Sequence, residues 1–269
     1  MSDRVSHWNV PYRANNGGAR PAVIVVPAEY GPGHPSPPLP LVISPHGRGV
    51  PPGDNAKWWR DLPADGGFAV VCPGGMGRRL KLRSWGWRGQ IADLARMPGF
   101  VREALPWLRI DLRRVYAVGG SMGGQETLLL LGQHPELLAG AVAFDSVTNF
   151  YLRYYEFAEL RGGRAVQALA RFEVGGTPKT NPLGYVLRSP NEWNRQIAAA
   201  GVPLQLWWSD ADQVVDQRRQ TPAFFKTLRG LRPKGPLEPV TGSWSHTSGT
   251  YSFHQLPGAV HWLGLDRGK

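Results

Sequence analysis

Short, nearly continuous apolar runs alternate along this chain with segments whose apolar residues recur at three- and four-residue spacings. The runs Ala22–Val26, Leu39–Ser44, Phe68–Cys72, Val115–Val118, Ala141–Phe144, Leu204–Trp208 and Leu237–Val240 predict strands. Most lack polar interruptions, so they read as strands buried on both faces. Between them, Gln90–Leu108 sets Ile91, Leu94, Ala95, Val101, Leu105 and Leu108 mostly on one helical stripe, which Pro98 should break or kink. Met122–Leu131 predicts a compact helix stopped by Gly132, and further helices are expected over Pro222–Leu228 and Tyr251–Leu263. This alternation predicts the α/β class: a mostly parallel central sheet with helices on both faces.

Residues 147–195 fit the alternation poorly. They are rich in aromatics (Phe150, Tyr151, Tyr154, Tyr155, Phe157, Phe172, Tyr185, Trp193) and contain Gly162-Gly163. We read them as a small cap or lid inserted between two sheet strands; a longer crossover connection is the alternative. The 269 residues are otherwise the length of a single domain, 1–269.

Composition narrows the partners. No window reaches the ~18 apolar residues of a membrane helix, so no membrane is expected. The polar start Met1–Trp8 lacks the apolar core of a secretion signal, and the expected location is cytoplasmic, or secreted if a leader has been trimmed. A single cysteine excludes an internal disulfide and any structural zinc site built on two or more cysteines. The formal charge of +11 comes from 31 Lys+Arg against 20 Asp+Glu. The basic residues are nearly all arginine and scattered, the pattern of a solvated surface rather than a nucleic-acid footprint, so no nucleic acid is expected.

Chemistry concentrates at Gly119-Gly120-Ser121-Met122-Gly123, a G-x-S-x-G pattern with an apolar strand before it and a helix after it. The pattern alone is weak, but that context is what a nucleophile elbow demands. A serine hydroxyl needs a base and an orienting carboxylate before it attacks. Asp210 and Asp212 lie just past the strand Leu204–Trp208, and Asp145 ends the preceding strand. Downstream, His246 follows the last strand in a loop of small polar residues, whereas His254 and His261 fall in the expected final helix. His246 is the candidate base. A fourth piece, the strand Leu41–Ser44 running into His46-Gly47-Arg48-Gly49, lies where a backbone N–H should meet a developing oxyanion. Arg48 and Met122 N–H groups are the expected oxyanion hole.

Taken in order, these pieces resemble the α/β-hydrolase superfamily. Within it the chain looks most like esterases and depolymerases related to polyhydroxybutyrate depolymerase and feruloyl esterase, with kinship to the catalytic domain of prolyl oligopeptidase-type peptidases. The stretch Ile110–Gly119 and Arg188-Ser189-Pro190 share in the likeness, which covers residues from about 20 to 263. The resemblance selects Asp212, whose Asp-x-Val-Val context is similar to the acid loop of that group. It implies a serine carboxylic-ester hydrolase working through Ser121, His246 and Asp212 without cofactor or metal, on a small or oligomeric ester, as a monomer or homodimer. A peptidase or amidase is the alternative, and a non-catalytic binding protein on the same scaffold a remoter one. Expected pocket walls are Trp85, Trp244 and Phe150, with Trp87 and Tyr154. Arg48 departs from the small or aromatic residue common in that loop and places a cation at the mouth. With the Arg78–Arg83 loop, it would favour anionic esters.

Overall fold

Each apolar run becomes a strand, and all but the last, at the edge of the sheet, have both faces largely buried. In the computed structural model, which describes residues 4–246 and 255–266, the strands are β1 (Val5–Arg13), β2 (Ala19–Pro27), β3 (Leu39–Ile43), β4 (Ala69–Pro73), β5 (Ile110–Gly120), β6 (Gly140–Phe144), β7 (Leu204–Ser209) and β8 (Leu237–Gly242). They form one sheet in the order β1-β2-β4-β3-β5-β6-β7-β8. The β1–β2 and β2–β4 pairs are antiparallel, and the pairs from β4 through β8 are parallel. Parallel neighbours require crossovers, and helices on both faces supply them.

Alternation within each run sorts side chains between two cores. Ile24, Leu41, Ile43, Val71, Ala117, Ala143 and Leu206 face one layer; Val23, Val25, Val42, Val70, Val142 and Phe144 face the other. The helices are α1 (Pro52–Lys57), α2 (Leu62–Gly66), α3 (Arg88–Ala95), α4 (Met97–Ala104), α5 (Met122–Gln133), α6 (Phe150–Glu159), α7 (Gly163–Val174), α8 (Pro182–Val186), α9 (Asn194–Ala200), α10 (Thr221–Gly230) and α11 (Gln255–Trp262). The first layer is closed by α3, α4, α5, α9 and α10, the second by α1 and α11. Leu128, Leu129, Leu130 and Leu131 of α5 are all buried, because α5 lies against β5, β6, α3 and α9 at once. At ~1.5–3 kcal/mol per buried leucine, this helix is an anchor for whatever its N-terminus carries.

The expected α/β-hydrolase architecture is what the structure shows, with local differences. The stripe over Gln90–Leu108 is two helices, α3 and α4, that meet at Arg96; Pro98 stands in the first turn of α4, where its missing N–H costs nothing. The expected helix Tyr251–Leu263 is described from Gln255 on, as α11; residues 251–254 lie outside the described residues. The strand β1 had no counterpart among the expected runs. Trp8, Val10 and Tyr12 alternate with polar residues and pack on the first core layer, as a half-buried edge strand does.

Residues 147–195 fold into α6, α7, α8 and a 3-10 turn at Pro190–Trp193, and build a third apolar cluster over the C-terminal ends of the strands. Phe150 stacks on Tyr185 at 5.3 Å and on Trp85 at 6.0 Å. A polar tie accompanies this cluster. The buried Glu173 carboxylate, on α7, accepts the backbone N–H groups of Arg78, Arg79 (2.7 Å) and Leu80 (2.8 Å), and pairs with the buried Arg188 at 3.4 Å. Arg188 in turn donates to the Ser84 carbonyl. The loop after β4 and the 147–195 segment are thus bonded to each other through one carboxylate.

Removing that carboxylate strands a buried guanidinium and three N–H groups. Glu173→Ala should cost about 3–5 kcal/mol of unfolding free energy in urea, with Glu173→Gln milder. A wild-type denaturation midpoint for Glu173→Ala would show that the tie carries no stability.

Candidate active site

β5, near the middle of the sheet, runs into α5 through a single residue, Ser121, with φ 57° and ψ −119°. A non-glycine residue in that region costs about 1–3 kcal/mol, so the surroundings must impose it. They do so by close approach. A Cβ on Gly123 would lie 2.3 Å from the Pro45 carbonyl oxygen, and one on Gly119 2.5 Å from the Gly123 carbonyl oxygen. Only glycine lets the start of α5 press against the loop after β3, and the turn pushes the Ser121 side chain out of the sheet.

His246 reaches Ser121 from the loop after β8. Its Nε2 lies 3.0 Å from Ser121 Oγ and its Nδ1 2.8 Å from Asp212 Oδ2. With a carboxylate at Nδ1, the proton belongs on that nitrogen, and the Nε2 lone pair is left to accept from the serine hydroxyl. Asp212 is held from several sides. Its Oδ1 accepts the N–H groups of Val214 (2.8 Å) and Val215 (2.9 Å), and its Oδ2 the Gln217 amide (3.0 Å) as well as His246. Burial pushes the Asp212 carboxyl up, but the His246 hydrogen bond and charge, with the Val215 and Gln217 donors, outweigh it and hold the carboxyl below its ordinary range. Asp212 is therefore ionised where it meets the imidazole.

The other candidates for acid and base lie elsewhere. Asp210 is exposed, and His261 sits at the surface paired with Asp266 at 2.5 Å. His254 lies outside the described residues. Asp145 is fully buried beside the relay, accepting the Trp244 indole N–H (3.0 Å) and the Ser209 N–H (3.2 Å). One ligating atom each from Asp145, Asp212 and His246 lies within 4.8 Å of the others. The oxygens of both carboxylates are already occupied by N–H donors, and His246 faces the serine, so the arrangement fits a hydrogen-bonded relay better than a cation site.

Ser121 opens into a cavity of about 200 Å³ lined by Arg48, Trp85, Met122, Val147, Arg153, Phe157, Val214 and His246. Trp85 is a wall as expected from sequence. Phe150 is not: it is fully buried one layer behind, stacked on Trp85. Trp244 does not line the cavity either, because its indole is turned to the Asp145 carboxylate. Trp87 lines a separate depression with Arg78 and Arg188, and Tyr154 packs edge-on against Tyr185. Phe157 and Arg153, one helical turn apart on α6, were not expected at the site.

Arg48 and Met122, the residues expected to supply the oxyanion hole, meet Ser121 across this cavity. The Met122 N–H belongs to the first turn of α5, whose N–H groups have no partner within the helix. The loop bearing Arg48 is pinned by His46, which is fully buried. Its Nε2 accepts the Gly75 N–H (3.0 Å), so its Nδ1 carries the proton and donates to the Gly47 carbonyl (2.7 Å). Burial pushes the His46 imidazole down to about 4, so it stays neutral in this role.

Burial, with the nearby Asp212 charge, pushes the Asp145 carboxyl up to about 6 against the partial offset of its hydrogen bonds. A carboxyl with a native pKa above its unfolded value holds its proton more tightly when folded, so its contribution to stability falls as pH rises from about 4 to about 6. The stability of the wild type relative to Asp145→Asn, measured by urea unfolding across pH, should drop by about 3 kcal/mol over that window and stay level above it. A difference independent of pH would place the titration on another group.

The sequence matches the model of the prolyl oligopeptidase family over residues 57–268. The fold superposes on a putative dipeptidyl aminopeptidase IV from Bacteroides ovatus with a TM-score of 0.71 at 20% identity, over 97% of this chain and 36% of that one. For the acylaminoacyl peptidase of Pyrococcus horikoshii the values are 0.72 and 16%, over 99% and 43%. For the S-formylglutathione hydrolase FrmB of Staphylococcus aureus they are 0.69 and 14%, over 97% and 99%. The chain thus spans less than half of either peptidase and nearly all of the hydrolase. No curated protein matches it in sequence. These identities speak to the fold alone, but the family match covers most of the chain: it belongs to the prolyl oligopeptidase family and carries that family's α/β-hydrolase fold.

Proposed function

We propose that the chain is a serine hydrolase that cleaves carboxylic esters through an acyl-enzyme. The observation that carries this reading is the continuous relay from Ser121 Oγ through His246 to Asp212, at 3.0 and 2.8 Å. Ser121 attacks the ester carbonyl while its proton passes to His246 Nε2. Asp212 stabilises the imidazolium that results. The oxyanion is received by the Met122 and Arg48 N–H groups, each such donor contributing roughly 10²–10³ in turnover. His246 then protonates the departing alcohol, and water repeats the sequence on the acyl-enzyme. Every one of these steps uses groups of this chain, and none calls on a metal or cofactor.

The cavity argues for a short acyl group. Trp85, Val147, Phe157 and Val214 offer apolar walls in about 200 Å³, which suits a small aliphatic or compact aromatic acyl chain better than several units of a polymer. A second reading, amide or peptide cleavage, is favoured by membership of the prolyl oligopeptidase family, and the same relay would serve it.

Ser121→Ala should lower hydrolysis of p-nitrophenyl butyrate by about 10³-fold or more without shifting the melting temperature, and His246→Ala should be equally damaging. A fluorophosphonate probe should label the wild type once, at Ser121. Retention of more than a few per cent of activity in Ser121→Ala, or labelling at another serine, would remove the nucleophile. Matched butyrate ester and anilide substrates separate the two readings: the ester should be turned over and the anilide not.

A further inference from the structure

Arg153 lines both the Ser121 cavity and a neighbouring depression that holds Glu156, Asp212 and Asp216. It projects from α6 into the wall of the Ser121 cavity, and its side chain is 4% exposed. Its recorded partners among the described residues are the Glu156 carboxylate at 3.1 Å and the ring of Phe157, 4.6 Å from the guanidinium carbon. Glu156 is itself fixed from its other oxygen by the Gln220 amide at 2.8 Å. The guanidinium is therefore held in one orientation, laid on an aromatic ring, with one hydrogen bond made among the described residues. A guanidinium carries five N–H donors in a planar fork.

Buried donors are nearly always satisfied, and a buried ion pair adds little stability over apolar residues of the same volume. Two features show what would satisfy these donors. The cavity contains the nucleophile, so a substrate bound at Ser121 brings its acceptors within reach of the fork. Among the described residues no carboxylate lines the Ser121 cavity itself: Asp212 faces His246, Asp216 is paired with Arg218 and Arg219, and both line the neighbouring depression. A second cation, Arg48, stands at the same cavity on the loop after β3.

We infer that the enzyme's preferred substrates are esters of short dicarboxylic acids, with the free carboxylate of the acyl group received by the fork of Arg153 at the far wall of the Ser121 cavity. This rests on the ester-hydrolase reading above and specifies its substrate class. At ~30 Å³ per water-sized group, about 200 Å³ holds six or seven non-hydrogen groups, close to the acyl part of a four-carbon diacid (seven) and one short of that of a five-carbon diacid (eight). The carboxylate meets a preoriented donor that need not reorganise, and charge-assisted hydrogen bonds of this kind are the strong ones. None of residues 78–83 lines the Ser121 cavity; the backbone of their loop is held by Glu173, and Arg79 lies over the Phe172 ring.

The test compares monobenzyl glutarate with benzyl pentanoate, which has the same chain without the carboxylate, by chromatography of released benzyl alcohol. Wild type should favour the glutarate by roughly ten- to a hundredfold in kcat/KM, the range of a charged hydrogen bond in a buried site. Arg153→Met should bring that ratio to about one or below, and Arg153→Lys, which keeps the charge and loses the fork, should retain part of it. Because Arg153→Met leaves Glu156 unpaired, the double variant Arg153→Met with Glu156→Gln removes the pair together and should show the same loss of ratio. A wild-type ratio of one or less, or a high ratio that survives in the double variant, overturns the inference. So does failure to hydrolyse the glutarate in enzyme that the fluorophosphonate labels at Ser121. Absence of both Ser121 labelling and neutral-ester turnover overturns the hydrolase reading itself, so the two failures are told apart.

Discussion

The contact on which the site depends is the approach of the Gly123 backbone to the Pro45 carbonyl oxygen, where even a methyl group would stand at 2.3 Å. It joins the start of α5 to the loop after β3, two segments about 75 positions apart in the chain. The contact fixes the strained turn at Ser121, and in the same stroke sets the residue after the serine against the loop that carries Arg48. Strain of a few kcal/mol persists because the two elements cannot relax separately. β5 is paired on both sides, and α5 is buried over nearly its whole length. The stability of the sheet thus becomes precision in the position of one hydroxyl.

Electrostatics at the relay follow from the same placement. Three strands in succession, β6, β7 and β8, end beside one another, and each delivers one group near its C-terminal end: Asp145, Asp212 and His246. What separates the two carboxylates is hydrogen bonding rather than distance. Asp212 has four donors around it, including His246, and stays ionised; at Asp145, which accepts an indole and an amide N–H, burial prevails. Two ionised carboxylates in so small a volume would repel, and holding one of them partly protonated near neutrality reduces that cost. Trp244 belongs to this balance, since its N–H is the largest single offset to the burial of Asp145.

Much of this was legible in the sequence wherever the signal was local. The parallel strands appeared as uninterrupted apolar runs, and the elbow appeared as glycines at fixed offsets from a serine between a strand and a helix. The loop bearing Arg48 and the downstream histidine were legible for the same reason. The edge strand β1 was missed although Trp8, Val10 and Tyr12 alternate cleanly, because a half-buried antiparallel strand does not look like the buried runs beside it. Choosing Asp212 over Asp145 needed a likeness to relatives: both follow a buried strand, and only the positions of Val214, Val215 and Gln217 in space set them apart. Phe150 and Trp244 were placed at the pocket on the strength of being aromatic, a property shared by the residues that line a cavity and those that support it from behind. Glu173 and Arg153 gave no signal at all. Their meaning lies in partners that only the fold brings into reach, such as the backbone at 78–80 or the cavity of Ser121.

Those two residues show how the 147–195 segment divides its work. Glu173 satisfies backbone donors of the loop after β4, so its charge holds the segment in place; Arg153 makes one hydrogen bond among the described residues and lines the cavity of the nucleophile. Both belong to buried ion pairs, and neither pair is needed to fill space, which aliphatic residues do at lower desolvation cost. A segment held at Glu173 cannot swing far from the strand ends without exposing three amide groups and Arg188 unpaired. The wall that Arg153 and Phe157 present to Ser121 is therefore fixed relative to the hydroxyl. Specificity at such a site depends on what the wall asks of the substrate, and a rigid guanidinium asks for an anion in one place.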